Sequence, residues 1–269
     1  MIMNYNSVSL DKICSSLAYA IDIEAPELAL KETTAVTELV DRKFSGKKAD
    51  RIFMYNPDAI AQWIYEKYSS YFTEVKNNCD IELPLCSVMP SVTPVCFATM
   101  YTGTQPEVHG IRRYEKPVLK TDSIFDALIR AGMKPAIVAE SKSSMAMIYL
   151  EKEMDYYIYD TIEEVNAKAK ELIVEDKYDF IAVYNGDYDS AMHKHGPEGE
   201  IPLEKLKLNC KAFEEFAELI KENWKSHNTL IGFAMDHGCH EIDGECGSHG
   251  LDMEEDLNIV HLYGAYPSE

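Results

Sequence analysis

Residues 90–111 read PSVTPVCFATMYTGTQPEVHGI, in which Thr93 stands directly before a proline and apolar residues then follow at helical spacing. Proline suits the first position of a helix, because the amide that it lacks would have no partner there, so we expect Thr93 to cap this helix. The free amides and the positive dipole end of a helix N-terminus favour a bound anion such as phosphate. An ordinary capping threonine satisfies the same pattern. The choice between the two interpretations depends on residues farther along the chain.

Strands and helices alternate on both sides of this stretch. Strands are predicted at 51–55, 135–139, 178–184, 229–235 and 258–264, and helices at 59–71, 122–129, 161–174 and 203–225. Residues 141–160 are rich in Met and Tyr and indicate a short excursion that contains a strand. The alternation predicts an α/β fold, with a doubly wound, mostly parallel central sheet and helices on both faces. Because no linker or repeat divides the chain, we expect one domain over residues 1–269, with 1–48 as a helical N-terminal extension packed on it.

The composition restricts the partners of the chain. The 269 residues carry a net charge of −20, which argues against a nucleic-acid surface or an anionic membrane surface, since both require a basic face. Bound cations can still make one site locally positive. The first ten residues lack the basic start and apolar core of a signal peptide, and no run of about eighteen apolar residues occurs. Seven scattered cysteines without a CxxC pair are typical of reduced thiols, so we expect a cytoplasmic protein.

Aspartate and histidine side chains follow three of the predicted strands. These candidates are Asp58, Asp189, His193, Asp236, His237 and His249. Asp189 and His193 are four residues apart, which places both on one face of a helical turn. Asp58 could instead cap the helix that follows it. Because parallel strands end at a common edge of the sheet, we expect the candidates to converge there with Thr93.

Carboxylates and imidazoles together are the ligand set expected for zinc, with manganese as a harder alternative. Other side chains nearby in the sequence are possible substitutes for a misassigned ligand, namely Asp187, His195 and His240. Cys239 and Cys246 flank the histidine-rich segment and could be either ligands or ordinary free thiols.

These motifs resemble those of the type I phosphodiesterase/nucleotide pyrophosphatase family, which belongs to the alkaline phosphatase superfamily. They occur in the same order, as Pro90-Ser91-Val92-Thr93, Tyr101-Thr102-Gly103, Pro106-Glu107, His109-Gly110-Ile111, Asp189-x-x-x-His193-x-x-Gly196-Pro197, Asp236-His237-Gly238 and His249-Gly250. The resemblance runs from about residue 51 to residue 264 and implies an alkaline-phosphatase-like fold.

The resemblance also implies two divalent metal ions, zinc in the first instance. One would be held by Asp189, His193 and His249, and the other by Asp58, Asp236 and His237. Thr93 would lie between the two as the nucleophile. A metal makes the alkoxide of a threonine accessible near neutral pH, which agrees with this assignment.

Three positions depart from the family pattern. The resemblance leads us to expect an asparagine three residues after Thr93, as a donor to a phosphoryl oxygen. This position is Cys96, whose thiol is a weaker donor. Ala59 follows Asp58 where a glycine is usual, and Met192 replaces the glycine usual before His193. The short spacing from His237 to His249 leaves no room for an inserted substrate cap, and we expect His109 to support the turn after the Thr93 helix.

The activity that the resemblance implies is hydrolysis of a phosphodiester or pyrophosphate bond in a small phosphorylated substrate through phospho-Thr93. A phosphomonoesterase, a phosphonate hydrolase or a phosphomutase would use the same site, because a fold does not determine a function. A non-catalytic binding protein with a decayed site is the alternative from another class. The sequence also leaves open the assembly of the chain into a homo-oligomer.

Overall fold

A seven-stranded sheet, in the order β2-β9-β6-β1-β5-β3-β4, forms the centre of the computed structural model, which describes residues 3–269. The nine strands in this part of the chain are β1 (Arg51–Pro57), β2 (Ile81–Cys86), β3 (Pro135–Glu140), β4 (Asp155–Tyr159), β5 (Phe180–Asn185), β6 (Thr229–Phe233), β7 (His240–Ile242), β8 (Cys246–Ser248) and β9 (Asn258–Tyr266). Strands β6, β1, β5, β3 and β4 are mutually parallel. Strand β9 is antiparallel to β6 and β2, and β7 and β8 form a separate hairpin. The predicted mostly parallel sheet is therefore confirmed.

Helices surround the sheet. They are α1 (Ile13–Ala20), α2 (Thr34–Lys43), α3 (Gln62–Lys67), α4 (Thr73–Asn77), α5 (Thr93–Thr102), α6 (Pro106–His109), α7 (Ile124–Arg130), α8 (Ser144–Ile148), α9 (Ile162–Glu175), α10 (Asp187–His195), α11 (Glu200–Asn223) and α12 (Glu254–Leu257). Short 3-10 turns occur at Leu10–Lys12 and Ser69–Phe72. No helix within residues 3–269 combines the length and the apolar character needed to cross a membrane.

The two faces of β1 pack against different helices. On one face, the ring of Phe53 lies 5.2 Å from that of Phe216 in α11. On the other, Asn56 accepts a hydrogen bond of 2.8 Å from the hydroxyl of Tyr101 in α5. This alternation follows from the period of two in a strand, and it puts helices on both faces as predicted.

The first helices pack on the far end of α5 from Thr93. Helix α1 contacts α5 and α7, while α2 contacts β9. The amide of Leu30 donates to the carbonyl of Gly103, just beyond the end of α5, over 2.7 Å. A side chain on Gly103 would lie 2.7 Å from the Cβ of Ala29, so glycine permits this close approach. The part of the expected N-terminal extension that falls on residues 1–2 lies outside the described residues.

Several predicted boundaries are wrong. The helix expected over 59–71 begins only at Gln62, because Ala59 has a positive φ of 62° and Ala61 is the residue before the helix. Asp58 therefore does not cap this helix. Strand β2 and the β7–β8 hairpin were not among the predicted elements. Strand β2 pairs only with β9 at the edge of the sheet and contains Pro84, which a central strand would not tolerate.

Candidate active site

The carboxyl ends of three neighbouring strands supply most of the site. Strands β6, β1 and β5 lie side by side in the sheet. Asp236 and His237 follow β6, Asp58 follows β1, and α10 follows β5. Because the three strands are parallel, these segments meet at one edge.

Thr93 lies at the N-terminus of α5 and faces this edge. Its hydroxyl oxygen is 3.3 Å from Asp58 Oδ2 and 3.3 Å from His237 Nε2. The prediction that Thr93 is the capping residue is wrong by one position. Val92 is the cap, because its carbonyl already accepts the amides of Val95 and Cys96. Thr93 is thus the first helical residue, and it is buried.

The first group of candidate ligands brings α10 together with the segment after the β7–β8 hairpin. Its members are Asp189, His193 and His249, whose ligand atoms all lie within 4.8 Å of one another. Asp189 Oδ1 is 3.3 Å from His193 Nε2 and 3.4 Å from His249 Nε2. The two Nε2 atoms are themselves 3.2 Å apart. The predicted i, i+4 pairing of Asp189 and His193 on one helix face is therefore confirmed.

The second group lies beside the first and is fully buried. Its members are Asp58, Asp236 and His237, again with ligand atoms within 4.8 Å of one another. His237 Nε2 is 3.3 Å from Asp58 Oδ1 and 3.3 Å from Asp236 Oδ2. The imidazole of His237 stacks on that of His249, with ring centroids 4.1 Å apart, so the two groups share a boundary.

Backbone carbonyls orient all three imidazoles. Nδ1 of His193 is 3.0 Å from the carbonyl of Gly247, and Nδ1 of His249 is 2.9 Å from that of Ser91. Nδ1 of His237 is 2.9 Å from the carbonyl of Gly238. A carbonyl can only accept, so each Nδ1 carries the hydrogen and each neutral ring presents an unprotonated Nε2. Nε2 is then free to bind a metal.

Buried carboxylate oxygens provide a test of whether a metal fits. Within residues 3–269, Asp58 Oδ1, Asp189 Oδ1 and Asp236 Oδ2 are buried and accept no hydrogen bond. Each faces an Nε2 atom, which has no hydrogen to give in the neutral imidazole that binds a metal. An unpaired buried carboxylate is costly unless a cation compensates it. The donor set of carboxylate oxygens and imidazole nitrogens is one that zinc prefers, so the residues fit two divalent ions.

The pKa values of the protein alone show how strongly the site requires positive charge. Burial and the nearby Asp189 carboxylate raise the pKa of Asp58 to about 7. Burial and Asp58 likewise raise the pKa of Asp236 well above its usual range. The Asp189 carboxylate, 3.3 Å away, raises the pKa of His193 to about 9, while burial and the neighbouring His249 lower the pKa of His237 to about 3. In the protein without metal, protons on these side chains therefore offset part of the negative charge that bound cations would otherwise offset.

Tyr184 is a contact that the sequence analysis missed. It is the fifth residue of β5, and its hydroxyl donates to Asp58 Oδ2 over 2.5 Å. This bond leaves Asp58 Oδ1 directed at His237. No motif signalled it, because a tyrosine is an ordinary strand residue.

Cys96 is fully buried, and its thiol presents no surface to a substrate in this conformation. The sulfur lies 3.2 Å from Ser87 Oγ. The same hydroxyl lies 2.6 Å from the carbonyl of Asp236. Cys96 therefore packs beneath the Asp236 segment, and its predicted contact with substrate stays a prediction.

The possible substitute ligands lie outside both groups. Asp187 pairs with Lys205 over 2.6 Å, His240 pairs with Asp256 over 2.7 Å, and His195 is exposed. All seven cysteines are free thiols, and neither group contains one. His109 bonds to Thr99 of α5 and accepts the amide of Ile111, which confirms its structural role at the turn.

Two departures from the family pattern have a structural explanation. Ala59 adopts the left-handed backbone conformation that glycine would adopt more easily, so this position favours glycine on conformational grounds. Met192 is fully buried against Gly247, where a side chain would lie 2.9 Å from the Met192 carbonyl. Met192 stands where a glycine is usual, and Gly247 on the facing strand leaves the space that its side chain occupies.

Comparison with known proteins shows the fold. No protein-family model matches the chain, and neither does any curated protein. Human ectonucleotide pyrophosphatase/phosphodiesterase 5 is similar in structure, with a TM-score of 0.58 and 17% identity over 72% of this chain and 58% of that one. The inactive murine counterpart in complex with AMP gives a TM-score of 0.59 and 15% identity over 72% of this chain and 59% of that one.

A hydrolase of a different substrate is similar as well. Phosphonoacetate hydrolase from Sinorhizobium meliloti 1021, in complex with phosphonoacetate, gives a TM-score of 0.55 and 16% identity over 75% of this chain and 61% of that one. The chain therefore spans about three-fifths of the length of these solved structures. At these identities the likeness establishes an alkaline-phosphatase-like fold.

Proposed function

We propose that this chain is a metal-dependent hydrolase that cleaves a phosphodiester or pyrophosphate bond of a small phosphorylated substrate through phospho-Thr93. The observation that carries the proposal is the position of the Thr93 hydroxyl, 3.3 Å from both Asp58 Oδ2 and His237 Nε2. A buried threonine at a helix N-terminus, among clustered Asp and His side chains, has the surroundings of an activated nucleophile. The similar folds of phosphate and phosphonate hydrolases support the same chemistry.

In this proposal each group of ligands holds one divalent ion. The first group contributes two imidazoles and one carboxylate, and the second contributes one imidazole and two carboxylates. Bound ions of this kind lower the pKa of a nearby hydroxyl and neutralise charge on the phosphate. Zinc suits both sets, and manganese suits the carboxylate-rich second group as an alternative.

The residues of the chain carry out the remaining steps. Asp58 Oδ2 is placed to accept the hydroxyl proton of Thr93. The Thr93 oxygen then attacks phosphorus, and the leaving group departs with the electron pair of its bond to phosphorus. Water then attacks phosphorus, the bond between phosphorus and the Thr93 oxygen breaks, and that oxygen takes back the proton held by Asp58, while the protons of the water leave with the phosphate product. The positive end of the α5 dipole favours the negative charge at this position throughout.

A phosphonate is the second candidate substrate. One of the similar solved structures is a phosphonoacetate hydrolase that holds phosphonoacetate. The first group of ligands and the Thr93 hydroxyl do not by themselves distinguish an oxygen leaving group from a carbon one, so the substrate panel must contain both.

Activity of zinc-loaded protein against bis(4-nitrophenyl) phosphate, 4-nitrophenyl phosphate and phosphonoacetate tests the proposal. We expect Thr93→Ala to lower the metal-dependent rate at least about a thousandfold, because the nucleophile is lost. Thr34→Ala is the matched control, since Thr34 is also the first residue of a helix but is exposed. Equal rates for Thr93→Ala and the unaltered protein would contradict the proposal. A preference for the monoester or the phosphonate would keep the mechanism and change the substrate class.

A further inference from the structure

One short segment, residues 237–251, contributes to both groups of candidate ligands. His237 lies at its start, and His249 lies near its end. Between them runs the β7–β8 hairpin, whose tip is exposed. The relative position of the two groups therefore depends on how this segment is held at its two ends.

Asp256 in α12 bonds to both ends of the segment. Its main-chain carbonyl accepts the amide of Gly238 over 2.8 Å. Its carboxylate accepts Nδ1–H of His240 over 2.7 Å through Oδ1, and the amide of Leu251 over 2.8 Å through Oδ2. Asp256 is fully buried, so both of its carboxylate oxygens are occupied by this segment.

The neighbourhood of Asp256 leaves little freedom. A side chain on Gly238 would collide with the carbonyl of Glu255, so the segment lies directly against α12. Helix α12 is itself fixed, because the Leu257 carbonyl accepts the amide of Ser87 over 2.7 Å and β9 follows at once in the sheet. Asp256 thus links the segment to the sheet.

We infer that Asp256 is a positioning residue for the metal centre. Asp256 holds His237 and His249 at the separation that both groups of ligands need. The inference rests on the proposed function in one respect, namely that the two groups bind divalent metal. Asp256 touches no candidate ligand through its side chain and acts through His240 and Leu251. An Asp256→Asn substitution keeps the volume but removes the negative charge and turns one acceptor into a donor. A donor that faces the Leu251 amide loses that bond, and a donor that faces His240 keeps a bond only when the ring moves its hydrogen from Nδ1 to Nε2.

Titration of metal-free protein with cobalt(II) tests the inference without reference to catalysis. We expect Asp256→Asn to weaken cobalt binding by about 10- to 100-fold, as removal of an orienting partner does in metal sites, and to alter the visible absorption bands of the bound ion. The matched control is Asp252→Asn. Asp252 lies four residues earlier, is exposed, and bonds to the hydroxyl of Tyr5 over 2.6 Å. The Asp252→Asn variant should bind cobalt with the same affinity and the same visible absorption spectrum as the unaltered protein.

A second pair of variants decides the question if Asp256→Asn does not fold. His240→Ala removes the donor to Asp256 Oδ1, whereas His240→Asn can restore a donor near the position of Nδ1. We expect weaker cobalt binding in His240→Ala and recovery of most of the affinity in His240→Asn. Circular dichroism of the metal-free variants checks that each is folded.

Three results would overturn the inference. They are unchanged cobalt affinity and spectrum in folded Asp256→Asn, equal affinities for His240→Ala and His240→Asn, and failure of the unaltered protein to take up cobalt. Failure of the proposed function is distinguishable from these. In that case the unaltered protein would bind two metal ions and Asp256→Asn would show the expected loss of cobalt affinity, but the protein would hydrolyse none of the phosphorus compounds.

Discussion

Ala59 is the residue whose conformation says most about Asp58. Its φ of 62° belongs to the left-handed region, where an alanine is about 1–2 kcal/mol less favourable than in its usual conformations. The amide of Ala59 also donates to Asp236 Oδ1 over 3.2 Å. The turn therefore ties the ends of β1 and β6 together despite its strain, and this brings two carboxylates into one group.

We predict that Ala59→Gly is more stable than Ala61→Gly by about 1–2 kcal/mol in chemical denaturation. Both alanines are fully buried, so each variant loses the same methyl group and gains the same freedom in the unfolded chain. Only Ala59 has a positive φ, since φ of Ala61 is −70°. Equal stability of the two variants would contradict the left-handed turn after Asp58.

The ligand types were predictable at the residue scale, but the contacts that orient them were not. Metal chemistry restricts ligands to a few side chains, so Asp and His after strand ends are conspicuous in a sequence. The carbonyls of Ser91 and Gly247 carry no signal, because every residue has a carbonyl. Tyr184 likewise reaches Asp58 only because β5 and β1 are neighbours in the sheet.

At the scale of elements, the contact between β8 and α10 determines where His193 points. Met192 and Gly247 face each other, and the Gly247 carbonyl lies 3.0 Å from Nδ1 of His193. The hairpin thereby brings the ring of His193 against His249, with centroids 4.9 Å apart. Displacement of β8 should disturb the first group and leave the second largely in place.

We predict that Gly247→Ala destabilises the fold by about 1–3 kcal/mol and weakens metal binding at the first group. The added methyl would lie 2.9 Å from the Met192 carbonyl and would also collide with its sulfur, so β8 must move away from α10. Gly244→Ala, in the same hairpin, is the control for zinc affinity: its added methyl meets no atom, although its φ of 87° makes alanine about 1–2 kcal/mol less favourable there. Thermal unfolding and zinc titration of both variants test this. An unchanged zinc affinity in Gly247→Ala would show that the hairpin does not orient His193.

The sequence predicted the long, buried elements better than the short ones. The run Phe180–Asn185 is buried throughout, which its apolar pattern had indicated. Strands β7 and β8 have three residues each, too few for any periodicity, and they are paired only with each other. The Thr93 helix was found because Pro94 marks its first turn, although the pattern alone could not decide between Val92 and Thr93 as its cap.

At the scale of the whole molecule, the net charge is −20, so the burial of three carboxylates close together costs free energy of folding. Asp58, Asp189 and Asp236 lie in adjoining groups, and the cationic side chains that lower the pKa of Asp58 or Asp189 are His193 and His249. Protons compensate for this charge in the protein alone. The stability of the metal-free protein should therefore depend on pH.

We predict that the melting temperature Tm of the metal-free protein falls as the pH rises from 6.5 to 9. A group whose pKa is raised on folding stabilises the folded state at low pH, and this contribution is lost as the pH rises through the folded pKa. For Asp58 that pKa is about 7, and for His193 it is about 9. The lowered pKa of His237 affects the stability only below about pH 6.5, where the imidazole takes up a proton in the unfolded chain but not in the folded protein.

Calorimetry of metal-free and zinc-loaded protein at pH 6.5 and 9 measures this effect. Zinc should restore the stability lost at pH 9, because the ion replaces the protons as the compensating charge. His193→Gln should show a smaller decline than the unaltered protein. A Tm that is constant over this range without metal, or unaffected by zinc, would contradict the electrostatic account of the site.

The metal content of the purified protein tests the central claim most directly. After removal of any affinity tag and dialysis against trace zinc, elemental analysis should find about two zinc ions per chain. His237→Ala and His249→Ala should each retain about one, because each removes a ligand from a different group. An unaltered chain that retains no metal, or two histidine variants that retain both ions, would contradict a two-metal centre around Thr93.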